Sequence, residues 1–272
     1  MRSHDLACAL LVLLVTAILV TVAAPAGAKI LKTRRPAQYK ELVLTVGSGF
    51  EYETDGEESE YGFPFLAEYG FTKSLKLSVE PNFVLVRKKN GDRISGPGDL
   101  ETTVTCEFPT ERRHRPGLAL EGVVKWPTAR RGDLGTGEVD YSLGTIVSKE
   151  FVGFDLDLNT IYTFVGSPPG VRLQNTFEAS LAGEWHITPV LAIEAEVVTA
   201  AGAGSRFRST PGSLGGFGNI GGPVQGQSES EFTLGLAELL SERLKLEEGM
   251  ILKSGGSWQA VVGWEFDFGE GK

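Results

Sequence analysis

From Leu42 onward apolar side chains recur at every second position, and no later apolar run is long enough to cross a membrane as a helix. A period of two puts alternate side chains on opposite faces of a strand, one face apolar and one polar. The pattern first shows at Leu42, Leu44, Val46, Phe50 and Tyr52, with Thr45, Gly47, Gly49, Glu51 and Glu53 between them. It returns at 63–71, 75–85, 100–108, 118–126, 139–147, 154–164, 177–187, 191–199, 232–236, 244–252 and 258–268. This amounts to about twelve strands, mostly of roughly 9–11 residues, the length a tilted strand needs to cross a bilayer.

The polar row opposite the apolar one carries Glu68, Lys76, Glu80, Glu101, Glu107, Glu121, Lys125, Asp155, Asp157, Glu178, Glu184, Glu194, Glu196, Lys245, Glu247, Glu265 and Asp267. An Arg or Lys on the lipid face at mid-bilayer costs roughly 2–4 kcal/mol, so in a membrane these charges face a wet interior. In a soluble β-protein the same row is simply the solvated face. The aromatic residues favour the membrane reading. Tyr52, Phe63, Phe71, Trp126, Phe154, Phe164, Trp185, Trp258 and Phe268 stand near the ends of the apolar rows, where they would form interfacial girdles.

The connections alternate in kind. Short or compact links at 72–74, 109–116, 148–153, 188–190 and 241–243 follow the even strands, and longer or more polar links at 54–62, 88–97, 128–138, 166–175 and 200–231 follow the odd ones. The short 253–257 link breaks the rule, and 109–116 is long for a turn. Turns at one rim and loops at the other, with an even strand count, describe a closed antiparallel transmembrane β-barrel. The glycine-dense 200–231 segment is then a long extracellular or lumen-inserted loop.

The N-terminus sets the compartment. Arg2 and His4 precede an apolar run over 6–24, followed by Ala26-Gly27-Ala28, which reads as a secretory signal over 1–28 cut after Ala28. The run approaches spanning length, so an uncleaved anchor is the competing reading. Residues 29–272 are then the barrel of a bacterial outer membrane, still at the formal charge of -9 because the leader holds one Arg and one Asp. That acidity argues against nucleic acid as a partner. Of the two cysteines only Cys106 lies beyond the leader, which rules out an intrachain disulfide and a thiolate zinc site.

The remaining motifs carry little chemistry. The Gly-rich stretch over 212–222 lacks the Lys-Ser or Lys-Thr of a phosphate cradle. Asp155-Leu156-Asp157-Leu158-Asn159 lacks the Gly and closing Glu of a calcium loop. Hydrolysis would need His114 or His186, and neither has a Ser-centred elbow nearby. Paired Glu194 and Glu196 could serve acid–base work, but a luminal network balanced by Lys76, Lys125 and Lys245 is the ordinary reading. No catalytic, cofactor-binding or metal-binding residues are assigned, and no cofactor is expected. Lys88, Lys89, Arg93, Arg130, Arg131, Arg206 and Arg208 fall on the loop side, where they could meet lipopolysaccharide phosphates.

Gly96-Pro97-Gly98-Asp99-Leu100, Lys125-Trp126-Pro127-Thr128, Gly132-Asp133-Leu134-Gly135-Thr136-Gly137 and Asp140-Tyr141-Ser142-Leu143-Gly144 follow one another in order. Together they resemble the outer-membrane family labelled MetA-pathway of phenol degradation, closely over 96–166 and elsewhere only as barrel pattern. The resemblance implies a barrel associated with uptake of small hydrophobic or aromatic compounds. The C-terminal Trp264-Glu265-Phe266-Asp267-Phe268 resembles the aromatic signal read by the barrel-assembly machinery, although Gly269-Glu270-Gly271-Lys272 follows it.

The expected function is a channel or facilitator for passive passage of small solutes, with Glu80, Glu121, Glu178, Glu194 and Glu196 lining the lumen. Its expected partners are outer-membrane lipid and lipopolysaccharide, a small-molecule solute and the assembly machinery. The alternatives are a plugged structural or surface-interaction barrel without transport and, third, an outer-membrane lipid hydrolase.

Overall fold

The computed structural model describes residues 31–33, 41–108, 115–130, 134–135, 137–168, 173–202 and 229–269. Its strands are β1 (Leu44–Thr54), β2 (Ser59–Thr72), β3 (Leu75–Glu80), β4 (Asn82–Arg87), β5 (Arg93–Pro97), β6 (Leu100–Phe108) and β7 (Gly117–Trp126). The second half adds β8 (Asp140–Phe151), β9 (Phe154–Phe164), β10 (Thr176–Thr188), β11 (Leu191–Gly202), β12 (Glu229–Ser241), β13 (Leu244–Lys253) and β14 (Trp258–Phe268).

These fourteen segments build twelve staves. Pro81 has no N–H to give to a ladder and splits one stave into β3 and β4, which pair side by side along β2. Gly98-Asp99 splits the next into β5 and β6, paired with β4 and β3 respectively. From β6 each strand pairs antiparallel with the next as far as β14, and β14 pairs with β1 from Leu44↔Phe268 to Thr54↔Trp258. With β1 also paired to β2, the sheet closes on itself as a twelve-strand antiparallel barrel, as the alternation predicts.

The two faces divide as period two requires. Outward lie Phe83, Leu120, Leu143, Leu158, Leu181, Val197 and Leu234, all exposed, while Glu80, Glu101, Glu121, Asp157, Glu194 and Glu247 are buried on the inside. Exposed aromatics collect at both ends of the apolar belt: Phe71, Phe151, Phe154, Trp185 and Phe268 toward the short turns, and Phe63, Trp126, Tyr141, Phe164 and Phe177 toward the longer loops. Tyr52 and Trp258, of the same expected girdle, are half-buried and meet edge to face with ring centroids 5.4 Å apart. A continuous apolar exterior over a charged interior is the surface of a barrel that lies in a membrane.

Several expected links are shorter than their sequence suggests, because strands run on past the apolar belt. β2 begins at Ser59 and β5 occupies 93–97, leaving tight turns over 55–58 and 88–92, the latter closed by Lys88 N–H donating to Asp92 O at 2.9 Å. Likewise β11 reaches Gly202 and β12 starts at Glu229, so 200–202 and 229–231 are strand, not loop. The rest of that Gly-rich loop, most of the 109–116 link and the leader at 1–28 lie outside the described residues.

Two outcomes test the outward register. Leu181 is 48 % exposed at the middle of β10, beside Leu158 and Val197. Leu181→Arg is expected to cost roughly 2–4 kcal/mol in reversible folding into lipid vesicles, and an unchanged value would mean that the side chain does not meet lipid. Cys106 is an exposed free thiol between Leu75 and Leu120. In the reconstituted protein an uncharged maleimide should label it and a charged thiosulfonate should not.

Candidate functional site

The lumen is the candidate site, and its wall is anionic. All five sequence-selected carboxylates stand on the inner face and are buried even without a membrane: Glu194 and Glu196 are 1 % exposed, Glu80 3 %, Glu178 5 % and Glu121 6 %. Side chains facing a wide, water-filled bore would keep far more accessible surface, so these five carboxylates are enclosed by other groups. Further buried carboxylates join them: Glu51, Glu53 and Asp140, which alternate with the apolar rows, and Glu60, Asp99 and Glu231, which lie just outside them.

Lysines bridge this wall in groups. Lys76 Nζ lies 2.9 Å from Glu68 Oε2, and Lys253 Nζ 2.8 Å from Glu53 Oε2. Lys245 Nζ lies 2.5 Å from Glu247 Oε1 and 3.6 Å from Glu194 Oε1. Elsewhere polar groups pair across strands, as where Gln259 donates to Glu51 at 2.9 Å and the Ser148 hydroxyl donates to Asp157. Charges that must leave bulk water need such partners, because an isolated one would cost several kcal/mol.

Toward the loop rim the wall changes character. The inner face of β4 and β5 offers Val84, Val86 and Ile94, and Leu134 from the loop after β7 is packed onto them, 1 % exposed. That loop does more than turn between two strands: it folds inward and narrows the mouth. Its anchor is an ion triad, with Lys125 Nζ 2.5 Å from Asp140 Oδ2 and 3.8 Å from Asp99 Oδ2. Asp99 Oδ1 also accepts the Ala129 N–H at 3.1 Å, and Asp140 Oδ1 accepts the Gly166 N–H at 2.8 Å. The Thr128 hydroxyl donates to Gly98 O at 3.1 Å and accepts from the Leu100 N–H at 2.9 Å. At Gly135 there is room for glycine only, since a Cβ would stand 2.5 Å from Asp99 Oδ1 and 2.6 Å from Ala129 Cβ. Residues of the four motifs that carry the family resemblance thus converge on one constriction.

A second obstruction has no counterpart in the sequence analysis. Residues 31–33, ahead of the first strand, lie inside the bore. Leu31 packs among Leu66, Ala182, Ile251 and Val261, which come from β2, β10, β13 and β14. The backbone N–H groups of Lys32 and Thr33 donate to the two oxygens of Glu196 at 3.0 and 2.6 Å, and the Thr33 hydroxyl donates to Ser180 Oγ at 2.7 Å. Lys32 Nζ reaches Glu231 Oε2 at 2.6 Å.

The remaining candidates divide. His186, exposed near the short-turn rim, has Nε2 2.8 Å from Asp155 Oδ2 and Nδ1 3.6 Å from Glu184 Oε1. A hydrolytic triad needs one ring nitrogen on a carboxylate and the other on a nucleophile, and here carboxylates face both. The three side chains are spaced closely enough to hold a cation. His114, Arg131, Arg206 and Arg208 lie outside the described residues. On the loop side Lys89 Nζ is 2.6 Å from Glu57 Oε1, and that hydrogen bond, with the charge of Glu57, holds its ammonium above the usual lysine range.

No family model matches the chain, and no curated protein matches it in sequence. Among solved structures, the KdgM porin in complex with disordered oligogalacturonate superposes with a TM-score of 0.51 at 10 % identity, over 82 % of this chain and 99 % of that one. The KdgM porin alone gives 0.50 at 10 % identity over the same shares. The CymD monoaromatic hydrocarbon channel gives 0.48 at 9 % identity, over 92 % of this chain and 96 % of its own. The likeness to KdgM is one of fold, that of a closed antiparallel β-barrel.

The triad makes the mouth testable. Lys125→Met removes the cation between Asp99 and Asp140, and breaking a buried pair of this kind costs about 3–5 kcal/mol. The temperature at which the folded, fast-migrating band is lost on detergent gels should fall, and Asp140→Asn added to Lys125→Met should recover part of the loss.

Proposed function

We propose that the protein is an outer-membrane channel for passive passage of small solutes, with the acidic lumen as its selectivity element. The observation that carries this reading is the inner wall, where buried carboxylates from nearly every stave outnumber the lysines among the described residues. A barrel needing only a stable core would fill it with apolar side chains, which are at least as favourable as buried ion pairs. A wall with such an excess of one charge raises the local concentration of cations and repels anions.

Glu80, Glu121, Glu178, Glu194 and Glu196 are the residues assigned to this role. A neutral or cationic solute suits them, and a polyanion such as the oligogalacturonate held by KdgM does not. The family resemblance over 96–166 points to small hydrophobic or aromatic compounds. An uncharged aromatic molecule satisfies both arguments, entering past Val84, Ile94 and Leu134 at the apolar mouth. Outer-membrane lipid, lipopolysaccharide at Lys88, Lys89 and Arg93, and the assembly machinery at the Trp264–Phe268 end are the proposed partners.

A second reading, a barrel that stays closed and works through its loops, is favoured by the burial of the luminal side chains. Planar bilayers separate the two. The purified protein should pass current with a preference for cations over anions, and changing the five glutamates to Gln should shift the reversal potential toward anions. Current with unaltered selectivity would remove those residues from the pathway, and no current under any condition would leave the closed barrel.

A further inference from the structure

The segment in the bore is an occupant of a built site. Three consecutive residues meet the wall through four polar groups of an extended basic peptide: two backbone N–H groups on one carboxylate, a hydroxyl on Ser180 and an ammonium on Glu231. Glu178 and Glu196 lie close enough to add their charge to that of Glu231 at the ammonium. These wall residues are buried. Leu31 supplies the apolar end of the recognition, wedged between side chains of staves that are far apart in the sheet order.

We propose, on the reading of the barrel as a channel, that the wall patch of Ser180, Glu178, Glu196 and Glu231 is a binding site for basic, peptide-like ligands, and that residues 31–33 are its tethered resident, restricting the pore until displaced. The Glu196 carboxylate accepts two main-chain N–H groups and the Glu231 carboxylate pairs with an alkylammonium or guanidinium, and a bare aromatic ring offers neither of them a donor. From Thr33 to Val43, at the foot of β1, the chain spans at most about 35 Å at full stretch, ample to climb to the middle of a hydrocarbon core ~30 Å thick. A tether of that length presents its own ligand at an effective concentration of millimolar order, so weak contacts suffice to keep the site filled. The same contacts release when a basic competitor takes them over.

The test uses the full chain, with heat-modifiable migration on gels to confirm that each variant is folded. Thr33→Cys with Ser180→Cys, in a Cys106→Ser background, places two thiols where the hydroxyl oxygens are 2.7 Å apart, and an oxidised product should form and be found by mass spectrometry. Lys32→Glu puts an anion against Glu178 and Glu231 and should expel the segment, raising conductance at least fivefold over the parent. An acetylated Lys-Ile-Leu-Lys-Thr peptide at millimolar concentration should close the Lys32→Glu channel again, and the same peptide with Gln for both lysines should not. Failure of the disulfide to form, equal conductance of parent and Lys32→Glu, or equal block by both peptides would each overturn the proposal while leaving a channel. Absence of current from every variant, Lys32→Glu included, would instead remove the channel reading and the gate with it.

Discussion

Hydrocarbon offers backbone amides no hydrogen-bond partner, so the register between β1 and β14 is the constraint on which the rest of the structure depends. Eleven consecutive residue pairs, Leu44↔Phe268 to Thr54↔Trp258, join the two ends of the sheet and leave no open edge. Once that ring is closed the pleat fixes every other placement, because each side chain must point either to lipid or to the bore. A shift of one residue would turn Leu158 and Leu181 inward and Asp157 and Glu196 outward, at a cost that no local contact could offset.

The bore that results is narrow and crowded with carboxylates. That combination explains why lysines sit where they do. Lys76 and Lys125 meet acids of the neighbouring stave, Lys245 meets Glu247 of its own strand and Glu194 two staves away, and Lys253 meets Glu53 across β14, spreading positive charge around the ring. Asp140, the partner of Lys125, also accepts from Gly166 beyond β9, and Asp99 holds Ala129, so ion pairs in the wall fix the loop that caps it. Wall electrostatics and mouth geometry are one structure.

How much of this the sequence discloses depends on whether the outer face meets lipid. Along the belt, apolar outer residues such as Leu156, Leu158 and Tyr162 make the alternation visible, and the inner positions of Glu80, Glu121, Glu178, Glu194 and Glu196 follow from it directly. Beyond the belt the apolar outer row gives way to polar residues, as at Ser230 between Glu229 and Glu231, so the strand continues while its signature disappears. Glu60 and Glu231 escape notice for that reason. The fold of the loop after β7 onto Val84 and Ile94 could have been suspected from the single Leu134 among glycines and polar residues. The position of 31–33 could not, since three residues carry no period, and their hydrogen-bond and ion-pair partners come from β10, β11 and β12 at separations above one hundred residues.

The two obstructions of the bore differ in kind, and the difference bears on which one can move. The loop carrying Leu134 is continuous with strands at both ends and is tied by Asp99, Lys125 and Asp140, with Gly135 admitting Asp99 so closely that no larger residue fits. Moving it would break a buried ion triad and expose Leu134 together. The segment at 31–33 is bonded to the wall, among the described residues, through only a few atoms of Lys32 and Thr33. Leu31 is its one apolar hold. Where two barriers stand in series, the one with fewer and more replaceable contacts opens first. A cation arriving in an acidic bore finds at Glu231 a partner as good as Lys32, so the wall that selects the solute is also the wall that holds the stopper.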